Sequence, residues 1–278
     1  MTPLALAYSP CPNDTYVFAA LANGWLDGAP PVRVELADID RLNAAAARAQ
    51  YELVKVSYGA IPFLHDRYRI LRAGGALGRG CGPLLIARPD RAPTLFAEVA
   101  DRKIAIPGER TTAFLLLQLA LGRRPKTVAM RFDAIAGAVA AGEVDAGLII
   151  HESRFTYRDQ GLISIADLGE WWENVTLLPI PLGAILVRRD VGLALAKSVD
   201  DAIRRSVAFA REHDDRVMPY VREHAAETAD DVTRAHIDLY VNAYTDDLGD
   251  QGIAAVASLF ERAAEGGIVP HGTQPEFV

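Results

Sequence analysis

The sequence predicts a two-lobed α/β protein on three observations. Short apolar runs alternate with helix-like stretches over residues 1–60, two similar apolar runs bracket a middle segment with its own strands and helices, and the chain beyond Asp190 reads as helix throughout. A length of 278 residues suits one large or two moderate α/β lobes.

Leu4 to Tyr8 is an unbroken apolar run, the pattern of a buried strand. It breaks at Ser9-Pro10-Cys11-Pro12-Asn13-Asp14, where the prolines forbid regular structure and Asn13 or Asp14 can cap the helix that follows. Val17, Leu21 and Trp25 recur on one helical face that ends near Gly24. Val32, Val34 and Leu36 alternate with Arg33 and Glu35 as a second strand, Leu42 to Arg48 is Ala-rich helix, and Leu53 to Ser57 is a third strand. The glycine-dense Gly74-Gly75-Ala76-Leu77-Gly78-Arg79-Gly80 lacks the spacing of a nucleotide-binding loop and reads as a turn.

The runs Pro83 to Pro89 and Leu182 to Asp190 are both apolar strands closing on arginine, and what lies between them reads as an inserted lobe. Within it Lys103 to Ile106 is a strand, Ala113 to Leu121 a strongly apolar helix, Asp133 the cap of a helix through Val139, and Ala146 to Ile150 a strand that delivers His151. The expected layout is a larger discontinuous lobe from 1–88 and 189–278, a smaller lobe from 89–188, and the two bracketing strands as a hinge. Each lobe is expected to hold a mixed, mostly parallel sheet flanked by helices. After Asp190, Val199, Ile203, Val207 and Ala210 form one helical stripe, Val232, His236, Leu239 and Ala243 a second, and Ile253, Val256 and Phe260 a third. The tail after Gly267 carries turn residues and reads as a loosely held end.

A net charge of −7, from 29 basic and 36 acidic residues, argues against a nucleic-acid partner, because phosphate neutralisation needs a basic face. No run is apolar for long enough to span a membrane, and the N-terminus lacks the basic start and apolar stretch of an export signal, so a cytoplasmic location is expected. Cys11 and Cys81 then read as small buried or cleft residues rather than a disulfide. With the few histidines scattered, no metal-ligand spacing can be assembled, and no metal is expected.

In open sheets, ligands bind beyond the carboxyl ends of the strands. Four such ends are polar here: Ser9 to Asp14, Lys55 to Tyr58, Pro107 to Thr112, and His151 to Ser153. The Ser9 to Asp14 loop, with Ser9 and Asn13, and the Thr111-Thr112 pair each sit where a helix begins, so free amides and hydroxyls can hold a small anion. Plain capping is the competing reading. Lys55 and Ser57 share one side of their strand by alternation, although a lysine at a strand end is commonly solvated. His151 is either a structural histidine or a base working near neutral pH. Trp171 and Trp172 either wall an aromatic ligand or simply pack. His65, His213, His224, His236 and His271 lie in helical or tail contexts and read as surface or packing residues.

Four segments also carry a family pattern. Ser9-Pro10-Cys11-Pro12-Asn13-Asp14-Thr15, Gly74 to Gly80, Gly142 to Tyr157 with its HESRFTY ending, and Leu182-Gly183-Ala184-Ile185 together resemble the 1,4-dihydroxy-6-naphthoate synthases of the futalosine route to menaquinone. The resemblance covers nearly the whole chain and implies a periplasmic-binding-protein type II fold. It implies a lyase without cofactor that cleaves cyclic dehypoxanthinyl futalosine, a small anionic substrate, to 1,4-dihydroxy-6-naphthoate and dihydroxyacetone. It further implies that His151 is the proton acceptor and that Lys55, Val56 and Ser57, and the turn at Thr112 and Ala113, bind substrate. Two alternatives share the fold: a non-catalytic binding protein for a small carboxylate, and the chorismate dehydratase of the same pathway.

Overall fold

The computed structural model describes residues 2–225 and 229–278. In chain order, β1 (Leu4–Tyr8), α1 (Pro12–Ala22), β2 (Val32–Leu36), α2 (Ile39–Ala47), β3 (Leu53–Ser57), β4 (Tyr68–Ile70) and β5 (Ala76–Gly78) come first. The middle holds β6 (Leu84–Ala87), β7 (Ile104–Ile106), α3 (Thr112–Leu121), β8 (Thr127–Ala129), α4 (Ile135–Ala140), β9 (Ala146–Ile149), α5 (Ser153–Thr156), β10 (Ile163–Asp167) and α6 (Leu168–Thr176). β11 (Ile180–Arg188) is followed by helices α7 (Leu193–Glu212), α8 (Asp214–His224), α9 (Asp230–Tyr240), α10 (Ala243–Asp246) and α11 (Gly249–Glu265). None of the described helices is long and apolar enough to cross a membrane.

The strands form a six-stranded sheet, ordered β2-β1-β3-β11-β4 with β5 also on β11, and a five-stranded sheet, ordered β10-β6-β9-β7-β8. β1 pairs in parallel with β2 and β3, and β7 with β8 and β9. β11 and β6 run antiparallel to their neighbours, because each arrives from the other sheet. Parallel pairing therefore makes up less of each sheet than the alternating strand and helix pattern suggests. β1 and β3 are buried along their whole length, as strands covered on both faces must be, whereas β2 keeps its alternation at the sheet edge.

The expected lobe boundaries need moving. Leu84–Ala87, assigned to the larger lobe, pairs with β9 and β10 in the five-stranded sheet. Ile180–Arg188, all of it expected in the smaller lobe, pairs with β3, β4 and β5 in the six-stranded one. The chain thus changes sheet between Gly78 and Leu84 and again between Thr176 and Ile180. The two bracketing runs do not pair with each other, and each begins just after one of these two crossings, as the connecting strands of a two-strand hinge do. Each is a buried strand, and an apolar run alone carries no record of which sheet receives it.

Helix starts differ in a similar way. α1 begins at Pro12 with Cys11 at the cap position, so Asn13 and Asp14 lie inside the first turn, and proline at the first position costs no hydrogen bond. Asp133 sits in a 3-10 turn ahead of α4 rather than at its cap. In α9 the buried face is Thr233, His236, Ile237 and Tyr240, rotated from the expected stripe. The tail is held, not loose: Ile70 N donates to Glu276 O at 2.8 Å, Val278 N to Ile70 O at 3.0 Å, and Arg69 Nε to Glu276 Oε1 at 2.6 Å.

Candidate active site

A cavity of about 90 Å³ lies between the two sheets, at the carboxyl ends of β1, β3 and β9, with the start of α3 on one side and α9 on another. Ser9, Asn13, Lys55, Ser57, Thr111, Thr112, Ala113 and His151 all line it, which brings together nearly every candidate from the sequence. Val56 does not. Its side chain lies in the apolar core, because successive residues of a strand face opposite ways and Lys55 and Ser57 take the cavity side.

Asp14 organises one wall. Its Oδ1 accepts from Lys55 Nζ at 2.7 Å and from Asn13 Nδ2 at 2.9 Å, and its Oδ2 accepts from Ser9 Oγ at 2.7 Å. Lys55 is buried, not solvated, and its charge is already balanced by Asp14. It therefore cannot offer a free positive charge to a ligand carboxylate. Ser9 faces the cavity with its proton committed to Asp14.

On the opposite side, both threonine hydroxyls are taken. Thr111 Oγ1 donates to Gly108 O at 2.8 Å and accepts from Phe114 N at 3.3 Å, capping α3. Thr112 Oγ1 donates to Leu182 O at 2.6 Å and accepts from Gly59 N at 3.1 Å. Both of these partners belong to segments of the six-stranded sheet, so Thr112 ties the two sheets together. What remains for an anion is the backbone: the amides of Thr112 and Ala113 open α3, where the intrahelical ladder supplies no acceptor. Ser57 adds a hydroxyl held by Asn43, whose Nδ2 donates to Ser57 Oγ at 3.2 Å, which leaves the serine proton for the cavity.

His151 stands two residues past β9 with a left-handed backbone, φ 57°. Cys11 Sγ lies 3.3 Å from its Nδ1, and Phe132 meets its ring edge-on with centroids 4.8 Å apart. Loss of solvent pushes its pKa down from 6.5 to about 4; Asp14 opposes the shift and Lys55 adds to it. The ring is therefore neutral near pH 7. Burial pushes the Cys11 thiol well up, so it remains protonated. Cys11, His151 and Glu152 also bring a sulfur, a ring nitrogen and a carboxylate oxygen within 4.8 Å of one another. This is a trio of metal-ligand type that spacing along the chain could not reveal, though looser than the roughly 3.5 Å between ligands on one tetrahedral zinc.

Sequence reasoning missed two further residues of this wall. His236 is buried on α9, its Nε2 2.9 Å from Asn13 Oδ1 and its ring nearly parallel to that of His151 at 6.4 Å. Tyr240, one turn on, donates from its hydroxyl to Cys81 O at 3.3 Å. Their spacing places them on one helical face, but that face reads as apolar packing until a second sheet is known to lie against it. Both cysteines are free and buried, and Cys81 lines the cavity. Trp172 is fully buried with Nε1 on Pro179 O at 3.0 Å, and neither Trp171 nor Trp172 lines the cavity, so packing is their role.

Arg154, in the HESRFTY segment, donates to Gly82 O, to Gly80 O at 3.0 Å and to Asp167 Oδ2 at 2.8 Å. It thereby fastens the loop after His151 to the segment where the chain changes sheet.

The model of a family described as menaquinone biosynthesis matches residues 4–265. The chain belongs to that family. Within the menaquinone biosynthesis family, it is 48% identical over its full length to a Thermus thermophilus protein named 1,4-dihydroxy-6-naphtoate synthase, all of which is covered. It is also 48% identical to a Streptomyces coelicolor protein of the same name, over 96% of this chain and 95% of that one. A solved protein of Archaeoglobus fulgidus superposes with a TM-score of 0.88 at 36% identity, over 96% of this chain and 98% of that one. The alkanesulfonate-binding protein of Xanthomonas axonopodis pv. citri, bound to MOPS, superposes with a TM-score of 0.74 at 15% identity, over 99% and 96%. That last likeness shows the fold, which is of the periplasmic-binding-protein type. The chain is thus an enzyme of menaquinone biosynthesis that acts on a small molecule.

Proposed function

We propose that the protein is a carbon–carbon lyase that cleaves cyclic dehypoxanthinyl futalosine to 1,4-dihydroxy-6-naphthoate and dihydroxyacetone, with His151 as the base. The observation that carries this reading is the neutral imidazole of His151, held on a left-handed backbone at the wall of a cavity whose other side is the open amide end of α3.

The chemistry needs little more. His151 takes a substrate hydroxyl proton, the carbon–carbon bond breaks in a retro-aldol sense, and formation of the aromatic ring supplies the driving force. The substrate carboxylate rests on the amides of Thr112 and Ala113 and the hydroxyl of Ser57, where the helix dipole favours negative charge. Lys55 acts through Asp14, holding that wall in shape. The two sheets act as separate lobes that close over the ligand and exclude water, with Thr112 bonding across the gap. No step calls for a metal or an organic cofactor.

The test is incubation of purified protein with the cyclic futalosine derivative and chromatography for the naphthoate. No product between about pH 6 and pH 9 overturns the proposal. Tight calorimetric binding without turnover would make the protein a receptor, and turnover of chorismate instead would make it the dehydratase.

A further inference from the structure

His236 is the one buried imidazole in the cavity wall that the proposed reaction leaves without a task. Its protonation pattern follows from its neighbours. The Asp14 carboxylate can only accept, and it already takes the ammonium of Lys55 at 2.7 Å. Asn13 therefore turns its amide nitrogen to Asp14, at 2.9 Å, and its carbonyl oxygen to His236. A carbonyl oxygen cannot donate, so His236 Nε2 carries the hydrogen in their 2.9 Å contact. In the neutral ring Nδ1 is then a bare acceptor. That atom is buried and has no hydrogen-bond partner among the described residues.

An acceptor lone pair in a dry wall is costly unless a ligand fills it. The ligand group must be a donor, and a carboxylate is not one. We infer that His236 Nδ1 accepts a hydrogen bond from a hydroxyl of the substrate, so that His236 and His151 together receive the hydroxyl-bearing end while the carboxylate lies at the start of α3. The ring spacing of 6.4 Å between His151 and His236 leaves room for neighbouring hydroxyls of one molecule to meet both rings. This inference rests on the lyase reading for the identity of the substrate. Lys55, Asp14 and Asn13 act in it as positioning residues that set the tautomer of His236.

Two substitutions separate recognition from mere support. Glutamine at 236 reaches the Nε2 position and can still donate to Asn13, but offers no acceptor where Nδ1 stood. Asparagine places an oxygen near the Nδ1 position and gives up the contact with Asn13. His236→Gln is expected to raise KM about tenfold, the effect of one lost hydrogen bond, and His236→Asn to raise it less. A His236→Gln enzyme with the parental KM, or a His236→Asn enzyme more impaired than His236→Gln, overturns the inference.

A second measurement does not depend on either variant folding. In a His151→Asn protein that holds substrate without turning it over, the 15N resonance of His236 Nδ1 should move on addition of substrate and stay in place with 2-naphthoate, which has the ring and carboxylate but no hydroxyl. An unmoved resonance while calorimetry reports substrate bound also overturns it. Absence of turnover by the parental enzyme is a different result, because it removes the lyase reading itself.

Discussion

Lys55 Nζ and Asp14 Oδ1 stand 2.7 Å apart with both side chains buried, and this pair joins β3 to the first turn of α1. It sits at the root of the hydrogen-bond chain that runs through Asn13 to His236. A buried pair of this kind contributes little over an apolar replacement of both partners, but removal of one leaves the other charged and unanswered.

Lys55→Met should therefore lower stability by about 3–5 kcal/mol, read from urea unfolding, and Lys55→Met with Asp14→Leu should recover part of that loss. A single variant as stable as the parent would mean that Asp14 takes up a proton or water at no cost.

His151→Asn should reduce kcat by about 10²- to 10⁴-fold while substrate binding measured by calorimetry is largely kept. In the parent, the acid limb of kcat/KM should fall near pH 4, the value to which burial lowers His151, and not near 6.5. The sign for stability follows from the same shift. An unfolded histidine takes up its proton near 6.5 and folded His151 only near 4, so stability is present above 6.5 and is lost as pH falls through that window. Unfolding in the His151→Asn protein should depend less on pH between those values.

Gly59→Ala tests closure. A Cβ at Gly59 would stand 2.8 Å from Thr111 O and 3.0 Å from Thr111 C, both backbone atoms across the gap between sheets. The variant should keep most of its unfolding free energy, because neither sheet is disturbed internally, yet KM should rise at least about tenfold as the amides of α3 are held off. An unchanged KM would show that closure has slack at this contact.

Ser57→Ala removes the hydroxyl whose proton faces the cavity. KM should rise about tenfold with kcat nearly constant, as for uniform binding of the carboxylate end. A loss confined to kcat would instead assign Ser57 to the reacting end.

Much of this arrangement was legible in the sequence. Leu4–Tyr8, Val32–Leu36 and Leu53–Ser57 are strands at the expected bounds, because each is an apolar or alternating run stopped by turn residues. The alternation that put Lys55 and Ser57 on one side also placed them in the cavity. Short strands such as Tyr68–Ile70 and Thr127–Ala129 gave no signal, since a few residues cannot establish a period. Of the two kinds of donor expected at the threonine pair, the amides are left open, whereas the hydroxyls bond to the protein, because nothing in the sequence shows that Gly108 O and Leu182 O come to lie within their reach. His236 escaped because one polar residue on a buried helical face looks the same in a sequence whether it meets a core or a cleft.

The left-handed backbone at His151 bears on how proteins of this fold diverge. Glycine takes that conformation freely, and asparagine, aspartate and histidine more readily than most side chains, so the main chain alone does not single out an imidazole there. A lineage released from the need for an imidazole should drift to glycine or asparagine at this one position. Reading that residue alone would then separate descendants that kept the chemistry from those that became simple receptors.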